Sequence, residues 1–125
     1  MTEKPWGKFS RVAAGDNFQV DYLQIKPGGH SSIHWHENMT NVFVVTYGEL
    51  QVETYPEDEE AAEFPLHILT SESPPLEIPA GLKHRFVAAT EVHCVEVCRA
   101  LPGKVISVND IHRVDEGGVN RGLIA

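Results

Sequence analysis

Proline and glycine interrupt this chain of 125 residues at short intervals, and the segments between them are rich in β-branched and aromatic residues. The clearest segment, Phe18–Ile25, largely alternates polar and apolar residues and stops at Lys26-Pro27-Gly28-Gly29, a sequence typical of a tight turn. No segment has the length and periodicity of a convincing amphipathic helix. These patterns predict an all-β protein built as a sandwich or barrel.

Two pairs of neighbouring segments are predicted to form hairpins. Val42–Tyr47 and Leu50–Tyr55 flank Gly48, where the sequence favours a turn. Arg85–Ala89 and Val92–Arg99 are predicted to form the last hairpin of the barrel. Shorter strands are expected at His67–Leu69 and Leu76–Ile78.

Three histidines are spaced as metal ligands would be. One residue separates His34 from His36, so on a strand both side chains point to the same face of the sheet. His84, which follows the turn sequence Pro79-Ala80-Gly81, is the candidate third ligand. Imidazole binds transition metals at neutral pH, and three imidazoles leave coordination positions open for water or substrate. We therefore predict a site for a divalent transition metal, with Zn, Fe, Mn or Ni as candidate ions.

Composition and charge limit the domain organisation and the partners. The length and the 42% hydrophobic content fit one domain over residues 1–125. We expect an N-terminal arm at about 1–16 and a C-terminal tail at about 104–125. The net charge of −8 argues against nucleic acid and anionic membranes as partners, although part of it is concentrated in a predicted loop over residues 56–65. No apolar signal core or membrane-spanning stretch is present, which predicts a soluble cytoplasmic protein.

The two cysteines, Cys94 and Cys98, lie four positions apart on a predicted strand. This separation is too long for a disulfide, so both are predicted to be buried thiols. Glu96 shares their face of the strand and is expected to be either an internal ion-pair partner or part of a pocket.

The spacing of these histidines resembles the two signature motifs of the cupin superfamily, G-x5-H-x-H-x3,4-E-x6-G and P-x-G-x2-H. The first motif runs from Gly28 to Gly48, and the second runs from Pro79 to His84. The resemblance implies a double-sheet jelly roll, the fold of cupins. It also places Asn41 where the family has a metal-binding glutamate. An amide oxygen still coordinates a cation but carries no charge, so we expect His34, His36, His84 and Asn41 to bind metal less tightly than the usual ligand set.

A closer resemblance, to the type II mannose-6-phosphate isomerase cupin domain, extends loosely over nearly the whole chain. It is carried by Glu3-Lys4-Pro5-Trp6-Gly7, Ile78–Arg85 and Asn109–Asp115. In that family the metal helps to interconvert aldose and ketose phosphates. Here Glu37 stands where the family has an arginine after the second histidine, a change that removes a cationic group suited to phosphate. Arg121 resembles the terminal arginine of the family.

The resemblance implies a small polar ligand, such as a sugar or sugar phosphate, bound inside the barrel. Four residues are candidates for substrate binding: His30, Lys83, Arg85 and Glu96. His30 is separated from His34 and His36 by an even number of positions, Lys83 and Arg85 are cations on either side of His84, and Glu96 is a buried acid. Strand alternation directs Lys83 and Arg85 away from the face of His84, so a surface role is the alternative for both.

Two other functions remain open at this point. Three neutral histidines also suit a dioxygenase that holds Fe(II) or another transition metal. A non-catalytic sugar-binding or sensing module would keep the barrel without the chemistry, because a fold alone does not define a function. By resemblance to small cupins we expect a homodimer, for which Trp6 and Phe9 are candidate interface residues; packing in the core is the alternative.

Overall fold

The computed structural model of the protein describes residues 1–56 and 65–119. It confirms the predicted all-β fold, because the described residues form strands and contain no helix. In chain order the strands are β1 (Thr2–Lys4), β2 (Gly7–Ala14), β3 (Phe18–Ile25), β4 (His34–Trp35), β5 (Met39–Tyr47), β6 (Leu50–Tyr55), β7 (Leu66–Leu69), β8 (Leu76–Ile78), β9 (Lys83–Ala88), β10 (Val92–Ala100) and β11 (His112–Arg113).

The strands form two antiparallel sheets that enclose a common interior. One sheet has six strands in the order β1-β2-β3-β10-β5-β8, and the other has five in the order β11-β4-β9-β6-β7. Apolar side chains from both sheets make one core cluster, which includes Phe43 from the first sheet and Leu50 from the second. No helix capable of crossing a membrane occurs among the described residues.

Both hairpin predictions are wrong. Strand β5 pairs with β10 and β8, whereas β6 pairs with β9 and β7, so the turn at Gly48 carries the chain from one sheet to the other. Strands β9 and β10 are likewise in different sheets. A turn between two β-rich segments has the same local chemistry whether the second strand pairs with the first or crosses over. Pairing here is decided by which inward-facing side chains must meet in the shared core.

The interior changes from apolar to polar along the strands of the six-stranded sheet. In one row across β3, β10 and β5, the paired residues are Leu23, Cys94 and Val45, all buried in the core. Four residues away from this row on each strand, the paired residues are Gln19, Cys98 and Asn41. Residues four apart on a strand share a face, so the same interior surface holds an apolar half and a polar half.

Strand β9 of the opposite sheet shows the same change. Ala88 and Phe86 belong to the core, whereas His84, two positions farther, lies level with Thr54 of β6 and His34 of β4. The polar ends of both sheets therefore face each other. The apolar half forms the core that stabilises the barrel, and the polar half provides the side chains of a candidate binding site.

The two terminal segments pack onto this barrel. The predicted N-terminal arm contains β1 and β2, which extend the six-stranded sheet, and Trp6 and Phe9 pack against the core, which favours the core role for both. The predicted tail contains β11, which pairs with β4. Of the predicted loop over residues 56–65, positions 57–64 lie outside the described residues, as does Arg121.

Candidate metal centre

The imidazoles of His34, His36 and His84 meet at the polar end of the interior. His34 on β4 is paired directly with His84 on β9, and His36 follows His34 on the same face. Their ring centroids are 4.5 Å (His34–His84), 5.1 Å (His34–His36) and 5.7 Å (His36–His84) apart. One ligand atom from each ring lies within 4.8 Å of the others, and all three residues are buried. This arrangement lets three nitrogens point at one ion.

A backbone carbonyl fixes the orientation of each ring. Nδ1 of His34 lies 2.8 Å from the carbonyl oxygen of Ser32, Nδ1 of His36 lies 2.6 Å from that of Asp110, and Nδ1 of His84 lies 2.9 Å from that of Leu82. A carbonyl oxygen only accepts hydrogen bonds, so each Nδ1 donates and carries the proton. In a neutral ring the lone pair is then on Nε2.

The Nε2 atoms explain why the residues fit a metal ion. Nε2 of His36 and Nε2 of His84 are buried and have no hydrogen-bond partner among the described residues. Buried acceptors without a partner are costly and uncommon in folded proteins. A divalent cation satisfies such lone pairs, and a hydrogen bond from the opposite ring nitrogen to a carbonyl is the usual support for a metal-binding histidine.

The electrostatics of the cluster keep the imidazoles neutral. Burial, and then the charges of His84 and His36, lower the pKa of His34 from 6.5 to about 3. Burial lowers the pKa of His84 to about 4 against the opposing hydrogen bond to Leu82, and it also lowers the pKa of His36. Neutral imidazole is the form that binds metal, so at neutral pH few protons compete with the ion.

Asp110 supports the site although the sequence offers no local signal for it. Its carbonyl accepts from His36 Nδ1, and its carboxylate oxygens accept from the backbone N–H groups of Glu37 and Asn38 at 2.8 and 2.9 Å. The C-terminal segment thus holds the chain directly after the second histidine. The side chain of Glu37 is exposed.

Asn41 lies at the same polar end, on β5. Its amide nitrogen Nδ2 donates to Glu96 Oε2 at 2.8 Å and to Cys98 Sγ at 3.5 Å, whereas its oxygen Oδ1 is buried with no partner among the described residues. Burial raises the pKa of Glu96 to about 7, and the hydrogen bond from Asn41 opposes this shift. The prediction of two buried free thiols is confirmed for Cys94 and Cys98.

A cavity of about 710 Å³ opens onto this group of residues. Its wall includes His34, His36, Asn41 and Glu96, and its cationic lining residues are Lys4, Arg11 and Arg113. Arg11 is paired with Asp21 at 2.6 Å, whereas Lys4 and Arg113 form no ion pair with another described residue. Arg113 is paired directly with His34 across β11 and β4, and directly paired residues of neighbouring strands have their side chains on the same face of the sheet.

The other predicted substrate-binding residues do not line this cavity. His30 forms backbone bridges with Val87 and Gly118, and its Nδ1 lies 3.1 Å from the Ser31 carbonyl. The side chain of Lys83 is exposed, with its ammonium 5.4 Å from the centre of the Trp35 ring. Arg85 is neither on the surface nor in the cavity, because it is buried and ion-paired with Glu53. Of the four candidates, Glu96 is the one that lines the cavity, where it contacts Asn41.

Comparison with known proteins places this geometry in a family. Among curated relatives, the mannose-1-phosphate guanylyltransferase of Escherichia coli is 29% identical over 118 residues, which are 94% of this chain and 21% of the relative. The alginate biosynthesis protein AlgA of Pseudomonas aeruginosa is 26% identical over 113 residues, 90% of this chain and 21% of the relative. The chain thus spans about a fifth of the length of these relatives.

Solved structures show the same fold. The capsular polysaccharide assembling protein CapF of Staphylococcus aureus superposes with a TM-score of 0.75 at 19% identity, covering 92% of this chain and 31% of that one. Oxalate decarboxylase of Bacillus subtilis gives a TM-score of 0.73 at 18% identity, covering 90% and 29%. The predicted cupin fold is therefore confirmed. The family model for the C-terminal domain of mannose-6-phosphate isomerase matches residues 1–122, and the chain belongs to that family.

Proposed function

We propose that this protein is a metal-dependent domain that binds a sugar phosphate in its cavity, and that the reaction it supports is the interconversion of an aldose phosphate and a ketose phosphate. The observation that carries the proposal is that one cavity contains both groups that can bind a metal and a group that can bind a phosphate. Metal-ligating imidazoles form part of its wall, and an arginine without an ion pair among the described residues lines it as well.

The metal would be held by Nε2 of His34, His36 and His84. When bound, a divalent transition ion polarises a carbonyl or hydroxyl oxygen of a substrate. The chain itself holds each ring proton on Nδ1, against a carbonyl, so that the three lone pairs stay directed at the ion. The family match and the name of one relative, the mannose-1-phosphate guanylyltransferase, support a phosphorylated hexose as ligand.

Arg113 is the proposed phosphate-binding residue. The sequence lacks the arginine that the family places after the second histidine, because Glu37 occupies that position and its side chain is exposed. Arg113 on β11 enters the cavity wall from the C-terminal segment instead. A guanidinium binds phosphate through two parallel hydrogen bonds, so one arginine at this place supplies the missing contact.

The proposal is tested on protein purified without a metal-affinity tag and loaded in turn with Zn, Fe, Mn and Ni. Binding of mannose 6-phosphate and of unphosphorylated mannose is measured by calorimetry, and isomerisation to fructose 6-phosphate is followed by a coupled assay. We expect binding and turnover of the phosphorylated sugar, both lost in His36→Ala. Arg113→Gln should weaken binding of mannose 6-phosphate by about tenfold or more, the value of one charged hydrogen bond, and leave mannose unaffected.

Arg99→Gln is the matched control, because Arg99 is an exposed arginine that pairs with Glu77 on the outside of the barrel. It should behave as wild type. Metal-loaded protein that binds no sugar phosphate would refute the proposal. Oxygen consumption with a chelating organic substrate, in the absence of isomerisation, would favour the dioxygenase instead, and ligand binding without turnover would favour a binding module.

A further inference from the structure

Asn41 has a polar atom that the fold leaves without a partner. The residue is 1% exposed, and its Oδ1 is buried without a hydrogen bond to any described residue. A buried acceptor that stays unsatisfied is destabilising and uncommon in folded proteins, so its presence here calls for an explanation. The other end of the same amide is well bound, because Nδ2 donates to both Glu96 and Cys98.

These two contacts decide which way the amide faces. The ionised carboxylate of Glu96 only accepts hydrogen bonds, so in this form Glu96 selects the amide nitrogen of Asn41 and rejects its oxygen. Cys98 lies directly opposite Asn41 across the β5–β10 ladder and holds the same nitrogen from the adjacent strand. The oxygen is consequently the atom that is left free. It belongs to a residue that lines the same cavity as His34 and His36.

We propose that Glu96 is a positioning residue that presents the Asn41 oxygen to the metal as a fourth ligand and supplies the negative charge that the amide lacks. This inference rests on the metal binding of the proposed function. A glutamate ligand gives a site both an oxygen donor and a charge. Here the two contributions are divided between neighbouring strands, with the donor on β5 and the carboxylate one hydrogen bond away on β10.

The chemistry of the donor set agrees with this division. Three imidazoles are neutral, and an amide oxygen is a weak ligand, so the four groups bring no charge to a divalent ion. Groups that hydrogen-bond to metal ligands orient them and tune affinity, and their loss typically lowers metal affinity by about tenfold to a hundredfold. A buried carboxylate in this place would act strongly, because the interior screens its charge poorly.

The test compares Zn²⁺ affinities by competition with a chelator, using tag-free protein. The variants are Glu96→Gln, Asn41→Leu and the double variant Asn41→Asp with Glu96→Gln. Glu77→Gln is the control, because it removes an exposed carboxylate that lies beside Val42, next to Asn41, on the outer side of the same sheet. We expect about tenfold weaker binding or more in Glu96→Gln and in Asn41→Leu, and no change in Glu77→Gln.

The double variant moves the carboxylate into the ligand position and leaves an amide at residue 96 to donate to it. It should bind Zn²⁺ at least as tightly as wild type, a rescue that loss of packing would not produce. Visible spectra of the Co²⁺ forms should also change in Asn41→Leu, because the oxygen ligand is lost. If Glu96→Gln and Asn41→Leu bind Zn²⁺ as wild type does while His36→Ala does not, the inference falls and the three-histidine site stands. If wild type binds no metal, both fall.

Discussion

Replacing Glu53 by glutamine should destabilise the protein far more than replacing Arg85 by methionine. The two residues face each other across β6 and β9 and form an ion pair. The Arg85 side chain is only 7% exposed, whereas that of Glu53 is 27% exposed. The loss in the free energy of unfolding when the ion pair is broken therefore depends on which of the two charged side chains remains.

Glu53→Gln leaves a buried guanidinium whose ion-pair partner among the described residues is gone. Breaking a buried pair in this way costs about 3–5 kcal/mol, and partial solvent access at Glu53 places the expected loss near the lower bound. Arg85→Met leaves a carboxylate that water reaches and that still accepts from the hydroxyl of Tyr55. Because water solvates the remaining carboxylate, we expect a loss of about 1 kcal/mol or less, the value typical of a solvent-accessible ion pair.

Urea unfolding of both variants with unchanged m-values measures the difference directly. A loss of about 3 kcal/mol would lower Tm by roughly 10 °C in a chain of this size. Equal losses in the two variants would refute the argument from unequal burial. Metal content and sugar binding should be unchanged in Arg85→Met; a selective loss of sugar-phosphate binding there would instead support a direct role for Arg85 at the substrate.

Two further predictions concern the backbone and pH. Gly48 and Gly81 both have positive φ, but a Cβ at Gly48 would lie 2.0 Å from the carbonyl oxygen of Glu91, whereas one at Gly81 meets nothing within 4 Å. Gly81→Ala should lower the free energy of unfolding by about 1–2 kcal/mol, because alanine is strained in the left-handed backbone conformation. Gly48→Ala should lower it clearly more, and urea unfolding of both variants measures the difference. In metal-free protein, His34 and His84 have lower pKa values in the folded state than in the unfolded chain, so below about pH 6.5 the unfolded chain binds more protons than the folded protein does. The free energy of unfolding should therefore fall from about pH 6.5 toward pH 4. A flat pH profile would contradict this prediction.

The three histidines that the structure brings together were predictable because their signal is local or follows a fixed motif spacing. His34 and His36 share a face through strand alternation alone. The strand Phe18–Ile25 was predicted with the bounds that the structure has, because its alternation and its terminal turn agree. Strand pairing was not predictable in the same way. The turn at Gly48 looks like a hairpin turn, and only packing of the two sheets shows that it crosses between them.

Long-range partners account for the other differences. Asp110 supports His36 from 74 residues away in the chain, and no local pattern marks it. The burial of Arg85 depends on Glu53, which is 32 residues distant and on another strand. Asn41 was placed by motif spacing, but its contact with Glu96, 55 residues away, appears only in the fold. Sequence patterns therefore located candidate ligands and missed the groups that hold them.

The metal content of tag-free protein tests the central claim most directly. Elemental analysis by mass spectrometry should find about one equivalent of a divalent transition metal in wild type and none in His36→Ala. His93→Ala serves as control, because His93 pairs with Glu91 outside the candidate site, and it should keep the metal. Absence of metal from wild type, even after incubation with Zn, Fe, Mn and Ni, would contradict the account, as would metal retained in His36→Ala.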